Sequence, residues 1–208
     1  MALAEGQFDA AVQHLSRAAQ AARTTGLLAT EAFHLVPLSR VQQLAGSLDD
    51  AVETLRRAVA SAQSVGLMRV VSLAQVRLGR LLIQAGDVDG GRSAVTAASE
   101  WFAASGGGDE AALAECLLVS LDSEQNIAGS HQHLNDLLAA ARRDQDAEVQ
   151  VLCLDSLALH QAVSGEPAIA LDFLAEADEL ALSVAHRVAP QDRFYADRAR
   201  ALLTAASG

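Results

Sequence analysis

The sequence predicts an all-α fold built from paired helices, on three grounds. The apolar residues are mainly Ala, Leu and Val, since 51% of the 208 residues are hydrophobic but only 3% are aromatic. Ala and Leu are strong helix formers, and small side chains let helices approach closely. Only 3 prolines interrupt the chain. Glycines recur at a fixed spacing, which indicates a repeated structural unit.

Two interleaved series of glycines divide the chain into units of forty residues. A glycine that closes a helix supplies the left-handed residue needed there, so each unit is predicted to hold two helices. The series are Gly6, Gly46 and Gly86, and Gly26, Gly66 and Gly106, with Gly129 and Gly165 as later equivalents. The chain is thus predicted to be a single repeat domain over 1–208, with repeats at about 6–45, 46–85, 86–128, 129–164 and 165–188 and a capping helix at 190–206.

Side chains at fixed distances from the turn glycines support this register. Leucine stands eight residues before the glycine, leucine or valine nine after it, and alanine twelve after it. We expect these side chains to lie where paired helices touch. The three columns are Leu38, Leu78, Leu121 and Leu157; Leu15, Leu55, Val95, Leu138 and Leu174; and Ala18, Ala58, Ala98, Ala141 and Ala177.

The ends and turns of the predicted helices have their own signals. Ser47 and Asp87 follow turn glycines, where they would accept hydrogen bonds from free amides of the next helix. Pro37 is expected to kink the helix at 27–45. The first helix, 8–25, lacks a preceding partner, so the chain is a piece of a longer protein or self-associates through this helix. Pro190 is expected to start the capping helix.

A family resemblance follows from these residues. Leu78-Gly79, then Gly86-Asp87-Val88-Asp89 and the alanine columns, resemble the tetratricopeptide motif. The long Ala/Leu-rich helix pairs, and the closing segment 189–203, are similar to the repeat region of LuxR-type ATPase regulators and related bacterial signalling ATPases. The resemblance implies a right-handed superhelix of antiparallel helix pairs. Neither ATPase activity nor DNA binding is implied, because the nucleotide-binding motif and the helix-turn-helix are not seen in this sequence.

Charge and cysteine usage disfavour several classes of function. The net charge of −11 argues against direct binding to nucleic acid or to an anionic membrane. The N-terminal sequence MALAEGQFDA has no basic region typical of a signal peptide, and no uncharged apolar run is long enough to span a bilayer. Cys116 and Cys153 form no metal or redox spacing motif, so we expect reduced, buried thiols in a cytoplasmic protein.

Partner binding is expected in the concave groove that the resemblance implies, lined by the first helix of each pair. Arg40 and Arg80 occupy equivalent positions and could bind carboxylates or phosphates of an acidic ligand. The alternative is that they pair with neighbouring carboxylates of the chain. The predicted groove residues are Phe33, Val36, Arg40, Gln43, Val76, Arg80, Ile83, Val119, Asn126 and Asp155.

The most direct functional interpretation is a non-catalytic protein-interaction scaffold, the repeat region of a bacterial transcriptional or signalling regulator. It would bind a protein partner or a neighbouring domain in the groove. The alternative is a domain that senses a small effector around Phe33, Pro37 and Arg40. No enzyme activity, metal or cofactor is expected, because the histidines are scattered and no nucleophile, base and acid group together.

Overall fold

The computed structural model describes residues 2–107, 109–184, 188 and 190–206. Over these residues the chain is all-α, as the sequence predicts, with no strand. Within the same residues, no helix combines the length and the apolar character that crossing a membrane requires. The elements are α1 (Ala2–Thr24), α2 (Leu28–Leu44), α3 (Leu48–Ser64), α4 (Met68–Gln84), α5 (Val88–Ser105), α6 (Asp109–Glu124), α7 (Ser130–Asp144), α8 (Ala147–Val163), α9 (Pro167–Ser183), a 3-10 turn (Pro190–Asp192) and α10 (Phe194–Ala206).

The chain divides into two compact units, Met1–Ala111 and Ala112–Gly208. In the first unit α1 packs against α2, α2 against α3, α3 against α4, and α4 against α5. α2 also touches α4. In the second unit α8 packs against α7, α9 and α10. Short connections between packed neighbours make these helix pairs antiparallel, which is a helical repeat arrangement.

The turn glycines adopt the left-handed backbone that the sequence predicts. At the end of α2, the Gly46 amide donates to the Gln43 carbonyl (3.0 Å) and the Ser47 amide to the Gln42 carbonyl (2.8 Å). This pair of bonds is a Schellman motif, which satisfies carbonyls at a helix end. The glycines with positive φ that follow a helix are Gly26, Gly46, Gly66, Gly86, Gly106 and Gly165.

Two later turns use residues other than glycine, which the sequence reasoning missed. Asn126 (φ 53°) takes the left-handed place after α6, and its amide donates to the Ser123 carbonyl (3.0 Å). Gln145 (φ 57°) takes the left-handed place after α7, and its amide donates to the Ala141 carbonyl. The prediction that Gly129 closes the preceding helix is wrong, because Gly129 lies immediately before α7. Asn visits the left-handed region more easily than most residues, so the motif persists without glycine.

The leucine and alanine columns are buried in every predicted repeat after the first. In the first unit Leu38, Leu55 and Leu78 belong to one core cluster. Leu15 and Ala18 of α1 are only half-buried. The repeat register read from the sequence is thus the register in which the helices bury their apolar faces.

Two predicted helix boundaries differ from the structure. α1 begins at Ala2 and runs through Gly6, because one glycine costs a helix only about 1 kcal/mol and Ala2-Leu3-Ala4 favour helix. Pro190 starts a 3-10 turn, and α10 begins at Phe194 instead. The predicted helix at 27–45 is α2, which continues past Pro37 to Leu44. The predicted repeat 165–188 extends over residues 185–187, which lie outside the described part of the chain.

α4 and α5 lie close together at a pair of glycines. A Cβ added to Gly79 would lie 2.4 Å from Val95 Cγ2 and 2.8 Å from the Gly91 carbonyl oxygen. A Cβ added to Gly91 would lie 2.7 Å from the Gly79 carbonyl oxygen. All three distances are below normal van der Waals contact, so the two backbones pack against each other only because neither residue has a side chain.

Candidate binding sites

α2 presents an apolar surface to solvent in the first unit. The Phe33 side chain is 59% exposed although it lies in the middle of the helix. Pro37, one turn further along, is also exposed. Val36 and Arg40 beside them are half-buried, and Arg40 Nη1 donates to Gln43 Oε1 (2.8 Å). We call Phe33, Pro37 and Arg40 the α2 surface.

The predicted groove residues of α4 lie deeper than those of α2. Val76 and Ile83 are buried, and Arg80 is only 6% exposed. The equivalent arginines Arg40 and Arg80 therefore differ in accessibility, and Arg40 is the one that an approaching carboxylate reaches more easily.

The helices α2 and α4 are locally basic in an acidic chain. They contain four arginines and one glutamate, whereas the whole chain has a net charge of −11. The glutamate, Glu31, is buried and accepts hydrogen bonds from Arg57 Nη2 and Ser61 Oγ of α3, both at 3.0 Å. Its charge is therefore balanced by α3, away from the α2 surface. The arginines of α2 and α4 are Arg40, Arg69, Arg77 and Arg80.

In the second unit the carboxylate of the predicted groove residue Asp155 is bound by another side chain of the same unit. Asp155 is 1% exposed and accepts two hydrogen bonds from Arg193, which lies between the 3-10 turn and α10. Arg193 also pairs with Asp178 of α9, and Arg200 donates to Asp178 at 2.6 Å. This network joins α8, α9 and α10. Asp155 therefore has an internal role in the structure.

The remaining predicted groove residues of the second unit lie on α6 and in the turn after it. Val119 is buried. Asn126 is exposed, and its strained left-handed backbone is fixed by the turn described above. Asn126 lies on the wall of a cavity between α6, α8 and α10.

A strip of polar pairs connects α6 to α8 and was missed by the sequence reasoning. Cys116 Sγ lies 3.0 Å from Cys153 Sγ, Ser120 Oγ lies 2.7 Å from Ser156 Oγ, and Ser123 Oγ lies 3.3 Å from His160 Nδ1. We call these three pairs the α6–α8 polar strip. Its members recur every three or four residues on each helix, which puts them on one face.

The hydroxyl groups of the strip have more contacts than protons. Ser120 Oγ donates to the Cys116 carbonyl (2.7 Å), and Ser156 Oγ to the Leu152 carbonyl (2.8 Å), while the two oxygens also contact each other. Two hydroxyl protons cannot occupy three contacts at once, so the Oγ–Oγ bond and one of the two carbonyl bonds are alternatives. Each hydroxyl oxygen has two lone pairs, so lone pairs remain that can accept a hydrogen bond from a bound molecule or a water.

The cavity opens beside the serine and histidine end of the strip and has a volume of about 90 Å³. On its wall the Arg198 guanidinium pairs with the Glu124 carboxylate at 2.6 Å. Burial, together with the ring of His131 stacked on it at 4.5 Å between centroids, lowers the pKa of His160. A neutral His160 is able to donate or accept a hydrogen bond in this cavity. Its polar lining includes Ser120, Ser123, Ser156, His160, Tyr195 and Arg198.

The described residues show no arrangement typical of a metal site, since nowhere among them do three or more His, Cys, Asp or Glu side chains converge. Ser123 and His160 are within contact distance, and the ring of His160 stacks on that of His131.

Comparison with known proteins gives no further identification. The chain matches no protein-family model and no curated protein.

Proposed function

We propose that the chain is a non-catalytic protein-interaction scaffold whose first unit binds an apolar, acidic segment of a partner protein on the α2 surface. The observation that supports this most directly is the exposure of Phe33, which is 59% in mid-helix. A large apolar side chain held outside the core costs free energy in water, and a partner that covers it recovers this cost.

Charge complementarity supports an acidic occupant. α2 and α4 contain four arginines and one glutamate, which is paired with Arg57 of α3. Because Arg80 is buried and Arg69 lies 4.0 Å from Glu110, the proposal relies on Arg40. Arg40 lies on the same stretch of α2 as Phe33, so one bound segment could insert an apolar side chain beside Phe33 and direct a carboxylate to Arg40. A basic segment would be repelled at the same place.

The segments Leu78-Gly79 and Gly86-Asp87-Val88-Asp89 resemble the tetratricopeptide motif, and this resemblance supports a proposal about the kind of protein to which the chain belongs. We propose that the chain is the repeat region of a bacterial transcriptional or signalling regulator acting in the cytoplasm. The acidic segment then belongs either to another protein or to a neighbouring domain of the regulator.

The test is a selection of peptides from a random helical library on the immobilised chain, followed by binding measurements on the selected peptides. The proposal expects peptides with aromatic or aliphatic residues next to Asp or Glu, and binding that weakens at least tenfold in Phe33→Ser and weakens in Arg40→Ala. The matched control is Leu182→Ser, which removes an 80% exposed leucine from the second unit. Selection of basic peptides, or binding that survives Phe33→Ser, would contradict the proposal.

A second candidate function, binding of a small polar effector, is supported by the cavity next to the α6–α8 polar strip. Its volume of about 90 Å³ accommodates about three water molecules or one small polar compound. The Arg198–Glu124 pair offers opposite charges on the same wall. Screening small amino acids and hydroxy acids by thermal unfolding tests this function, because a bound effector raises the unfolding temperature. The increase should disappear in Ser156→Ala and persist in Phe33→Ser.

A further inference from the structure

The α6–α8 polar strip begins with two cysteines whose sulfur atoms are unusually close. Cys116 Sγ and Cys153 Sγ are 3.0 Å apart, about 1 Å longer than the S–S distance of about 2.05 Å in a disulfide bond. The two thiols belong to different helices, α6 and α8, and both are 0% exposed. These are the only two cysteines of the sequence, so each is the one residue in it with which the other could form a disulfide bond.

We propose that Cys116 and Cys153 are an oxidative modification site, at which a disulfide bond links α6 to α8. This proposal does not rest on the proposed functions, because neither cysteine lies on the α2 surface or lines the cavity. It concerns the second unit alone, which contains both cysteines.

The helices around the pair hold the sulfurs at this distance. One helical turn along the strip, the Ser120–Ser156 contact at 2.7 Å fixes the spacing between α6 and α8. The next pair, Ser123 and His160, continues the same alignment. Because three consecutive pairs have matching positions, the short sulfur distance follows from helix packing and needs only a small shift to become a covalent bond.

A small disulfide is a sufficient oxidant. One cysteine thiolate attacks a sulfur of the small disulfide, forms a mixed disulfide and releases one small thiolate. The second cysteine thiolate then attacks the protein sulfur of the mixed disulfide, forms the Cys116–Cys153 bond and releases the second small thiolate. The two thiol protons of the protein end on the two released thiols. Overall the cysteine pair is oxidised and the small disulfide is reduced.

Burial determines how this reaction proceeds. With both sulfurs fully inside the unit, the first attack requires a local opening of the α6–α8 contact. Formation is therefore slow in the folded protein, but the product is stable because the folded state already holds the sulfurs together. The bond closes a loop that includes α7, and it fixes α6 and α8 one turn away from the cavity.

The experiment measures whether the fold favours the bond. The full chain is equilibrated with mixtures of oxidised and reduced glutathione, once under native conditions and once in urea. The native equilibrium is approached from two sides, from the reduced chain and from chain that was cross-linked in urea and then refolded. The disulfide is counted by thiol titration after acid quenching and by the loss of the mass of two hydrogen atoms. We expect the equilibrium constant for the intramolecular bond to be larger natively by about 30-fold or more.

Two further readouts keep the result decisive. The refolded cross-linked chain should unfold at a higher temperature than the reduced chain, and a reducing agent should reverse the increase. Cys116→Ser and Cys153→Ser are matched controls, which should fold, form no intramolecular bond and show no such shift. An equal or smaller equilibrium constant in the native chain, or a lower unfolding temperature for the cross-linked chain, would overturn the proposal. Because the equilibrium is approached from both the reduced and the cross-linked chain, slow access to the buried thiols cannot account for a small native equilibrium constant.

Discussion

Arg193 donates two hydrogen bonds to the buried carboxylate of Asp155, with Nε–Oδ2 at 3.0 Å and Nη2–Oδ1 at 2.6 Å. Burial raises the pKa of Asp155 to about 6, while the hydrogen bonds and charge of Arg193, with a smaller effect of Arg200, limit the rise. Hydrogen bonds to Asp155 and Asp178 raise the pKa of Arg193, so its guanidinium stays charged. The segment before α10 is thereby joined to α8 by a buried ion pair whose acid partner titrates near neutrality.

The first prediction concerns the pH dependence of stability. Between about pH 4 and pH 6 the folded protein retains a proton on Asp155 that the unfolded chain has lost. The contribution of Asp155 to the free energy of unfolding must then fall as the pH rises through this range. Asp155→Asn removes this titration. We expect the stability of wild type relative to Asp155→Asn to fall by about 2 kcal/mol between pH 4 and pH 7, measured by urea unfolding.

Neighbouring groups allow the effect to be assigned to Asp155. Arg193 and Arg200 hold the pKa of Asp178 below its usual value, so Asp178 affects stability only in more acidic solution. Asp197 is 71% exposed in its side chain, and Asp197→Asn is the control that should track wild type across the whole range. If wild type instead gains stability over Asp155→Asn as the pH rises, the attraction of Arg193 outweighs burial.

The second prediction concerns the close approach of α4 and α5. Gly91→Ala places a Cβ 2.7 Å from the backbone carbonyl oxygen of Gly79, so the two helices must move apart. We expect a loss of stability of about 2 kcal/mol or more, measured by thermal and urea unfolding. Gly90→Ala is the matched control one residue away, where the atoms nearest to the added Cβ belong to the side chain of Asp87. Displacing that side chain weakens its cap hydrogen bond to the Gly90 amide, which is worth about 1 kcal/mol, but alanine favours helix over glycine by about the same amount, so the net change should be close to zero. If Gly91→Ala lowers stability no more than Gly90→Ala does, the two helices can separate without a loss of stability.

The fold was predictable because its turns repeat. Gly46 and Gly86 end their helices with the same hydrogen bonds forty residues apart. A glycine at a helix end can be recognised in a sequence. The period was lost where Asn126 and Gln145 take the left-handed place, because these residues do not stand out as glycine does.

The α6–α8 polar strip could not be found for a related reason. The Ser120–Ser156 pair is 36 residues apart, and the cysteine and Ser123–His160 pairs are 37 residues apart. The register from Gly129 to Gly165 has a spacing of 36, so it aligns Ser120 with Ser156 but places Cys116 opposite Leu152 instead of Cys153. The exposure of the arginines could not be predicted either, because Arg40 and Arg80 have equivalent positions in the repeat, yet Arg40 is half-buried and Arg80 is buried.

The third prediction separates the α2 surface from the core. Leu35 is 0% exposed and lies two residues from Phe33 on the opposite face of α2. Leu35→Ala should lower stability by about 2–5 kcal/mol, because it leaves a cavity. Phe33→Ala should change stability by no more than about 0.5 kcal/mol, because the ring is mostly in solvent. Urea unfolding of the two variants checks both values. A large loss in Phe33→Ala would mean that the ring supports the fold, which would remove the main support for a binding role.

The fourth prediction concerns two helix starts with nearly the same backbone. Ser47 (φ −86°, ψ 68°) precedes α3 and Asp87 (φ −82°, ψ 71°) precedes α5, but only the Asp87 side chain accepts a hydrogen bond, from the Gly90 amide at 3.0 Å. The expectation that Ser47 caps its helix is therefore wrong. Asp87→Ala should cost about 1 kcal/mol, and Ser47→Ala only a few tenths of a kcal/mol, measured by urea unfolding.

The same comparison predicts a gain of stability in Ser47→Asp. A carboxylate at this position reaches the amide that the serine hydroxyl does not, and its charge interacts favourably with the helix N-terminus. Asp49 and Asp50 already lie in the first turn of α3, and their repulsion reduces the gain. We therefore expect an increase of about 0.5 kcal/mol at high salt, where both the repulsion and the attraction to the helix N-terminus are screened and the hydrogen bond remains. A variant no more stable than wild type in urea unfolding at high salt would show that side-chain reach is not what distinguishes the two helix starts.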